Sequence, residues 1–485
     1  MELNAEELQR FGERVMNFIT HYLVSLDQDP ILPGDLDPQR LQGLFDEPLP
    51  RLPQGIDSTF QEFIEKIAAN SVRVGHPRFL GWIRPSSLAA AVFAESLAAA
   101  LNQSVAIWDG APAATEVELR VLEWLKDISG FAPQAGGLLT SGGSVANLVC
   151  LLAARTAAGP QVREYGLAGQ PAFTLYITQE THYSVLKAAE MMGIGRRNVR
   201  SIPVDAGLRM EPSALAEQIQ ADRQAGFQPL AVAATLGTVN SGACDDLLAL
   251  GQVCQGQGVW LHIDGAYGGI AALVPEKRPL TAGLAQADSL AFDPHKSLFI
   301  PFEAGCALVR DPGFLRETFA MEADYLPNTE MDEPGKPGLP INFRDYGPQL
   351  SRSFRALKIY LALKVYGVDA FAAELSRLYS LAAQFADRVQ SAGDLELLAP
   401  APLGIVAFRY LNQPPGQRSN QAPWLDALNL HIATEVQRRG RAFLSSTRIH
   451  GKYALRACFV SFRTREDDLD VILDEVRSVG RAYAG

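Results

Sequence analysis

Cysteine is scarce in this chain: five residues in 485 (Cys150, Cys244, Cys254, Cys306 and Cys458), with no Cys-x-x-Cys pair and no His-x-x-x-His spacing. An odd number of irregularly placed thiols argues against a disulfide framework and a zinc site, so all five read as reduced and mostly buried. Long apolar runs are missing too, since none approaches the roughly 20 residues that a membrane-spanning helix needs. The chain opens Met-Glu-Leu-Asn-Ala-Glu-Glu, acidic where a signal peptide carries positive charge, and a cytoplasmic location is expected. There is no basic excess: 43 Lys and Arg stand against 54 Asp and Glu, for a net charge of -11. The acidic residues are spread along the chain, so nothing resembles a nucleic-acid footprint and small molecules are the expected partners. A chain this long that is 47% hydrophobic and 20% charged is neither disordered nor collagen-like and should hold more than one core.

Residues 5 to 26 place Leu8, Phe11, Val15, Phe18, Ile19 and Tyr22 at helical spacing, which predicts an amphipathic helix. Six prolines between Pro30 and Pro53 predict an irregular segment, and a second helix follows near Phe60 to Asn70. From about residue 89, short aliphatic runs alternate with helical patterns. The expected strands are 137–139, 173–177, 199–202, 230–233, 259–263, 289–292 and 306–309. This alternation predicts an α/β fold with a mostly parallel sheet flanked by helices. A proline-rich stretch, 324 to 350, reads as a long loop, and a smaller α+β unit is expected after it. The expected organisation is an N-terminal helical arm over 1–88, a large domain over 89–370 and a small domain over 371–485.

Four short stretches carry chemistry. Thr140-Ser-Gly-Gly-Ser-Val-Ala-Asn147 joins a predicted strand to a predicted helix, where glycines allow close approach and free N–H groups attract anions. Gly142, Gly143 and Ser144 thus form a candidate phosphate cradle, with a plain capped turn as the competing reading. No Walker lysine and no Gly-x-Gly-x-x-Gly accompany it, which disfavours nucleotide readings. His-Ile-Asp264-Gly-Ala266-Tyr ends a strand with a carboxylate, where open α/β sheets place ligands. His182 precedes a helix and offers a flat ring that also moves protons. Asp293-Pro-His295-Lys296 ends another apolar strand with an amine. A phosphate anchor, a carboxylate for a ring nitrogen, a stacking ring and a Schiff-base lysine together match the needs of pyridoxal 5'-phosphate.

These stretches, with His76-Pro77 and Ala234-Thr-Leu-Gly-Thr238-Val-Asn-Ser-Gly-Ala, resemble the group II pyridoxal-phosphate-dependent amino-acid decarboxylases. That family acts on aromatic amino acids, histidine or glutamate. The resemblance runs along nearly the whole chain. It implies a fold-type-I homodimer whose active site lies near the subunit interface. It implies that Lys296 holds the cofactor, Asp264 pairs the pyridine nitrogen, His182 stacks on the ring and Ala266 lies beneath it. Gly143, Ser144 and His295 lie near the phosphate by that resemblance, and Thr238 is a further cofactor-binding position.

Three departures, at five positions, separate the chain from the pattern of those relatives. Ser104 and Ala106 stand where those relatives present larger side chains to the substrate, and Trp82 stands where they have a tyrosine. Counting back without gaps from Arg352 puts Phe343 where animal relatives carry a loop tyrosine that returns a proton to the reacting carbon. Ser297 replaces a tryptophan after the lysine motif. The leading expectation is decarboxylation of an L-amino acid to an amine. Oxygen-dependent formation of an aldehyde, motivated by Phe343, is the first alternative, and a non-catalytic pyridoxal-phosphate-binding protein the second.

Overall fold

The computed structural model describes residues 3–34, 36–321, 340–411 and 422–484. Two compact units emerge: the larger is Ser87–Ala386 with Ala399–Val406, and the smaller is Met1–Ser86, Asp387–Leu398 and Ala407–Gly485. The segment expected as a separate arm, 1–88, falls up to Ser86 in the same unit as Asp387–Leu398 and Ala407–Gly485. The expected boundary at 370 falls inside the helix Val368–Ser391, which the two units share.

The large unit is built on seven strands: β1 (Gly136–Thr140), β2 (Phe173–Ile177), β3 (Val199–Ser201), β4 (Gln228–Thr235), β5 (Trp260–Asp264), β6 (Ser289–Phe292) and β7 (Gly305–Val309). Their spatial order is β1-β7-β6-β5-β4-β2-β3. Strands β6, β5, β4, β2 and β3 pair in parallel. The inner strands are mostly apolar, as burial on both faces demands, with buried polar exceptions such as Thr174 and His262; β4 is buried from Leu230 through Thr235. Two helices, α1 (Gly143–Ala158) and α2 (Tyr183–Met191), lay Leu151, Ala154, Val185 and Ala188 against Phe173, Leu175 and Leu230 to close one core.

The direction of β7 is the departure from the parallel pattern, because it runs antiparallel to both β6 and β1. An antiparallel neighbour needs only a short connection. Residues 293–304 make that connection and carry the one-turn helix Pro294–Ser297. Because β1 is reversed relative to β7, it points the same way as β6. The ends of β1, β2, β5 and β6 therefore open on one edge of the sheet, and the four chemistry-bearing stretches follow those strand ends.

In the small unit, Phe79–Leu80 pairs in parallel with Phe443–Ile449, which pairs antiparallel with Lys452–Cys458. The first helix, Ala5–Val24, starts at an Asn4–Glu7 capping box, in which each side chain takes the other's backbone N–H. Phe18 lies 5.1 Å from Phe63, edge to face. The expected second helix is shorter, Ile56–Glu62, and continues as a π-turn over Phe63–Ile67.

Candidate active site

β1 ends in Thr140, and the chain turns at Gly142 with φ 152° before α1 begins. A side chain at Gly142 would be strained by that dihedral and would bring its Cβ within 3.3 Å of the His295 ring. At Gly143 a Cβ would stand 3.0 Å from an Asp293 carboxylate oxygen and 3.2 Å from the Ala266 methyl. The Gly142 carbonyl accepts from the N–H groups of Val145 and Ala146. Those of Gly143 and Ser144 meet no acceptor among the described residues and open from the first turn of a 16-residue helix. Free donors, the positive end of a helix dipole and no side chain in the way make an anion cradle.

Lys296 sits on the short helix after β6, with its side chain 23% exposed and Nζ 2.9 Å from Asp293 Oδ2. Burial works against its charge. The attraction and hydrogen bond of Asp293, with the field of Asp264, outweigh that and hold the amine above the ordinary lysine range. Asp293 is buried, and its second oxygen, Oδ1, has no hydrogen-bond partner among the described residues. His295 places Nε2 3.6 Å from Asp293 and Nδ1 2.7 Å from the Ala304 carbonyl oxygen. Burial pushes His295 below the usual histidine range, against the opposing pull of Asp293.

Asp264 ends β5 and is 4% exposed. Its Oδ1 accepts from Ala266 N–H at 3.1 Å, and its Oδ2 accepts from Asn147 Nδ2 at 3.0 Å. His182 caps α2: its Nδ1 accepts from the Ser184 backbone N–H at 3.3 Å and lies 2.7 Å from the Ser184 hydroxyl. Burial lowers the His182 pKa, while Asp264 raises it and Lys296 lowers it further, so the three groups share one electrostatic neighbourhood.

The residues present fit pyridoxal phosphate. A cradle that any Cβ would invade suits its phosphate, and a buried carboxylate suits its ring nitrogen. Lys296 provides the amine, and the half-buried His182 ring provides a flat face. Ala266 is partly buried and meets Gly143 across the cradle.

Other expected site residues are placed differently. Thr238 is buried, and its hydroxyl accepts the Ala243 N–H and pairs with Ser241, so it serves its own turn. Thr235 was missed. It is the register neighbour of Asp264, and its hydroxyl is buried without a partner among the described residues, an arrangement that only the pairing of β4 with β5 reveals. Asn147 was likewise read only as part of a turn motif. Ser104 is exposed, whereas Ala106 is buried and its carbonyl accepts the Arg344 N–H. Trp82 belongs to the small unit, where it is 45% exposed and packs on Phe443 at 5.1 Å.

Phe343 requires a correction. It is 1% exposed, in a 3₁₀ turn over Phe343–Asp345, with the Arg352 guanidinium 4.6 Å from its ring. That is a core position, so the ungapped count that placed Phe343 on a surface loop is set aside. Most of the loop in question, 322–339, lies outside the described residues. Ser297, unread in sequence, donates its hydroxyl to the Tyr267 carbonyl at 2.7 Å and ties the lysine helix to the chain beyond Asp264.

Comparison with known proteins returns matches along the whole chain. A family model described as the pyridoxal-dependent decarboxylase conserved domain matches residues 38–411. The chain is 34% identical over 481 residues to an aromatic-L-amino-acid decarboxylase of Bacillus atrophaeus, covering 99% of this chain and 96% of that one. It is 27% identical over 472 residues to a phenylacetaldehyde synthase of Arabidopsis thaliana, covering 96% and 94%. Among solved structures, Oryza sativa TDC with PLP and tryptamine superposes with a TM-score of 0.93 at 28% identity over 100% of both chains.

Proposed function

The chain belongs to the pyridoxal-dependent decarboxylases, and from that premise we propose that it converts an aromatic L-amino acid to its amine and carbon dioxide as a homodimer. Amino-acid decarboxylation with pyridoxal phosphate is the family's chemistry. The observation that carries it onto this chain is the convergence of Lys296, Asp264, His182 and the Gly142–Ser144 cradle at one edge of the sheet. Aromatic specificity is supported by the 34% identity to an aromatic-L-amino-acid decarboxylase. The homodimer is supported by the first helix, which buries no residue of its own and exposes Leu8, Met16 and Val24. Five buried, unpaired thiols support a reducing, cytoplasmic setting.

Bound at this site, pyridoxal phosphate supplies an electron sink for the pair released when a carboxylate departs as carbon dioxide. The chain's own residues prepare that event. The N–H groups of Gly143 and Ser144 would hold the phosphate oxygens. Asp264, held by Asn147 and Ala266, would accept the ring N–H and so favour the protonated nitrogen. Lys296 must shed a proton before its nitrogen can act as a nucleophile, and Asp293 holds the ammonium until then. The half-buried His182 ring lies in the field of Asp264 and Lys296, where it is placed to steer a proton.

The test is Lys296→Ala with amine and carbon dioxide assayed across the aromatic amino acids. Loss of amine production, together with loss of borohydride-fixed cofactor, is expected; amine production at the parent rate would refute the assignment. A second reading is favoured by the phenylacetaldehyde synthase match. In it the amino acid, dioxygen and water give aldehyde, carbon dioxide, ammonia and hydrogen peroxide. Peroxide and ammonia in amounts equal to carbon dioxide would select it.

A further inference from the structure

Behind Asp264 and His182 lies a set of buried polar groups for which catalysis has no direct use. Trp260 Nε1 is 2.8 Å from Ser289 Oγ, which is 2.9 Å from His262 Nδ1. His262 Nε2 is 2.9 Å from Asn147 Oδ1. Asn147 Nδ2 reaches Asp264 Oδ2 at 3.0 Å and Ser184 Oγ at 3.1 Å. Ser184 Oγ in turn meets His182 Nδ1 at 2.7 Å. Ser289, His262, Asn147 and Ser184 are each 2% exposed or less, so water does not substitute for any link.

The two ends determine every hydrogen between them. An indole nitrogen only donates and a carboxylate only accepts. Trp260 therefore gives its hydrogen to Ser289, whose hydroxyl must pass its own to His262 Nδ1. His262 is left with its proton on Nε2, which it donates to the Asn147 carbonyl oxygen. Asn147 must then turn its amide nitrogen toward Asp264, and that nitrogen has two hydrogens. The second goes to Ser184, whose hydroxyl donates to His182 Nδ1. The Ser184 backbone N–H points at the same ring nitrogen, so Nδ1 is an acceptor twice over. His182 is thereby left with its ring proton on Nε2. Burial pushes His262 down to about 4, in keeping with a neutral ring at the middle of the chain.

We propose that Asn147 is a positioning residue that divides its two amide hydrogens between Asp264 and His182, under the direction of His262, Ser289 and Trp260. It thus holds Asp264 as an acceptor for the cofactor ring nitrogen and His182 as the Nε2–H tautomer. The inference rests on the cofactor assignment. It also accounts for an asparagine inside a helix, where that residue type is otherwise unfavourable. A single side chain thus couples Asp264 to His182.

The experiment measures the dissociation constant for pyridoxal phosphate and the visible spectrum of the bound cofactor in the full-length protein. The variants are Asn147→Asp, His262→Gln and His262→Leu. Asn147→Asp removes both hydrogens while keeping an acceptor for His262, and sets a second carboxyl group about 3 Å from Asp264, by the distance Asn147 now holds. Cofactor affinity at least tenfold weaker, with an altered visible band, is expected. His262→Gln retains an N–H donor and should stay within threefold of the parent, whereas His262→Leu should weaken affinity at least tenfold. Circular dichroism checks the fold, and the His262 pair decides the matter if Asn147→Asp does not fold. Equal affinities for His262→Gln and His262→Leu would show that filling space is all this position does, and would overturn the proposal. So would a parent-like Asn147→Asp. Failure of the parent itself to take up pyridoxal phosphate would instead remove the cofactor assignment, and the inference with it, before any variant is compared.

Discussion

The ion pair between Arg352 and Glu118 offers a sharp test of how the cradle is held. Their side chains are 1% and 0% exposed. Arg352 donates to Glu118, to the Val105 carbonyl at 2.6 Å and to the Leu139 carbonyl at 2.9 Å, while Glu118 also accepts the Leu139 N–H at 3.0 Å. Leu139 lies on β1, three residues before Gly142, so the pair anchors the strand that delivers the cradle. Arg352→Met keeps most of the stem volume but strands a buried carboxylate with one backbone donor. Breaking such a pair from one side costs about 3–5 kcal/mol, whereas neutralising both sides is far milder. A native state is stabilised by only about 5–15 kcal/mol in total, so Arg352→Met should lower the urea midpoint severely. Glu118→Gln added to Arg352→Met keeps the acceptor for Leu139 N–H and should regain half or more of the loss. Urea titrations of the parent, the two single variants and the double variant, followed by tryptophan fluorescence, complete the cycle. A double variant no more stable than Arg352→Met would refute the coupling. An Arg352→Met cost below about 1 kcal/mol would show that the buried charge is relieved by some other route.

Phe343→Tyr should leave the ratio of amine to aldehyde unchanged and destabilise the protein by about 1–3 kcal/mol, because it puts a hydroxyl into a sealed contact beneath Arg352; product analysis and thermal unfolding read the two effects. With Phe343 in the core, the tyrosines left between 322 and 350 are Tyr325 and Tyr346. Tyr346 is partly buried and its pKa is raised by burial. Tyr325→Phe is therefore expected to raise peroxide and ammonia relative to amine, and Tyr346→Phe to leave the ratio alone. Asp245, 5% exposed, accepts the N–H groups of Thr235 and Met210, yet burial raises its pKa from 3.8 to about 6. A carboxyl group raised on folding favours the native state below its unfolded pKa and withdraws that support as pH rises through the folded value. About 3 kcal/mol of stability should accordingly be lost between roughly pH 4 and pH 7, and Asp245→Asn should flatten that slope in pH-dependent denaturation.

Much of the fold can be read without coordinates because strands buried on both faces announce themselves. All seven strands of the large unit coincide with aliphatic runs to within two residues. Direction and order are another matter: Cys306–Val309 has the same texture as its parallel neighbours, and nothing in a period of two tells a strand which way to run. The chemistry-bearing residues were legible where residue type and place disagree, as with an amine or a carboxylate ending an apolar strand. Asn147, Ser184 and Ser289 were not, because a small polar residue in a helix or strand looks ordinary until its partners arrive from elsewhere in the chain, 117 residues away in the case of Asn147 and Asp264. Thr235 and Thr238 share one motif, and strand register alone separates the hydroxyl without a partner from the one spent on a turn. Phe343 was misplaced for a related reason. Counting through a proline-rich stretch assumes that loop length is conserved, whereas burial beneath Arg352 reports position directly.

Among the described residues β1 lies at the edge of the sheet with β7 as its one neighbour, 165 residues further along from the end of one strand to the start of the other. During synthesis at about 5–20 residues per second, roughly 8–33 seconds pass between the emergence of the two. Over that interval the strand leading into the phosphate cradle has no partner, and Lys296 is itself among the last of the site residues to appear. The vitamin-derived cofactor therefore cannot guide the early folding of this chain as it leaves the ribosome. Loading is thus a late event, in contrast to chains whose ligand-binding elements are complete within their first hundred residues.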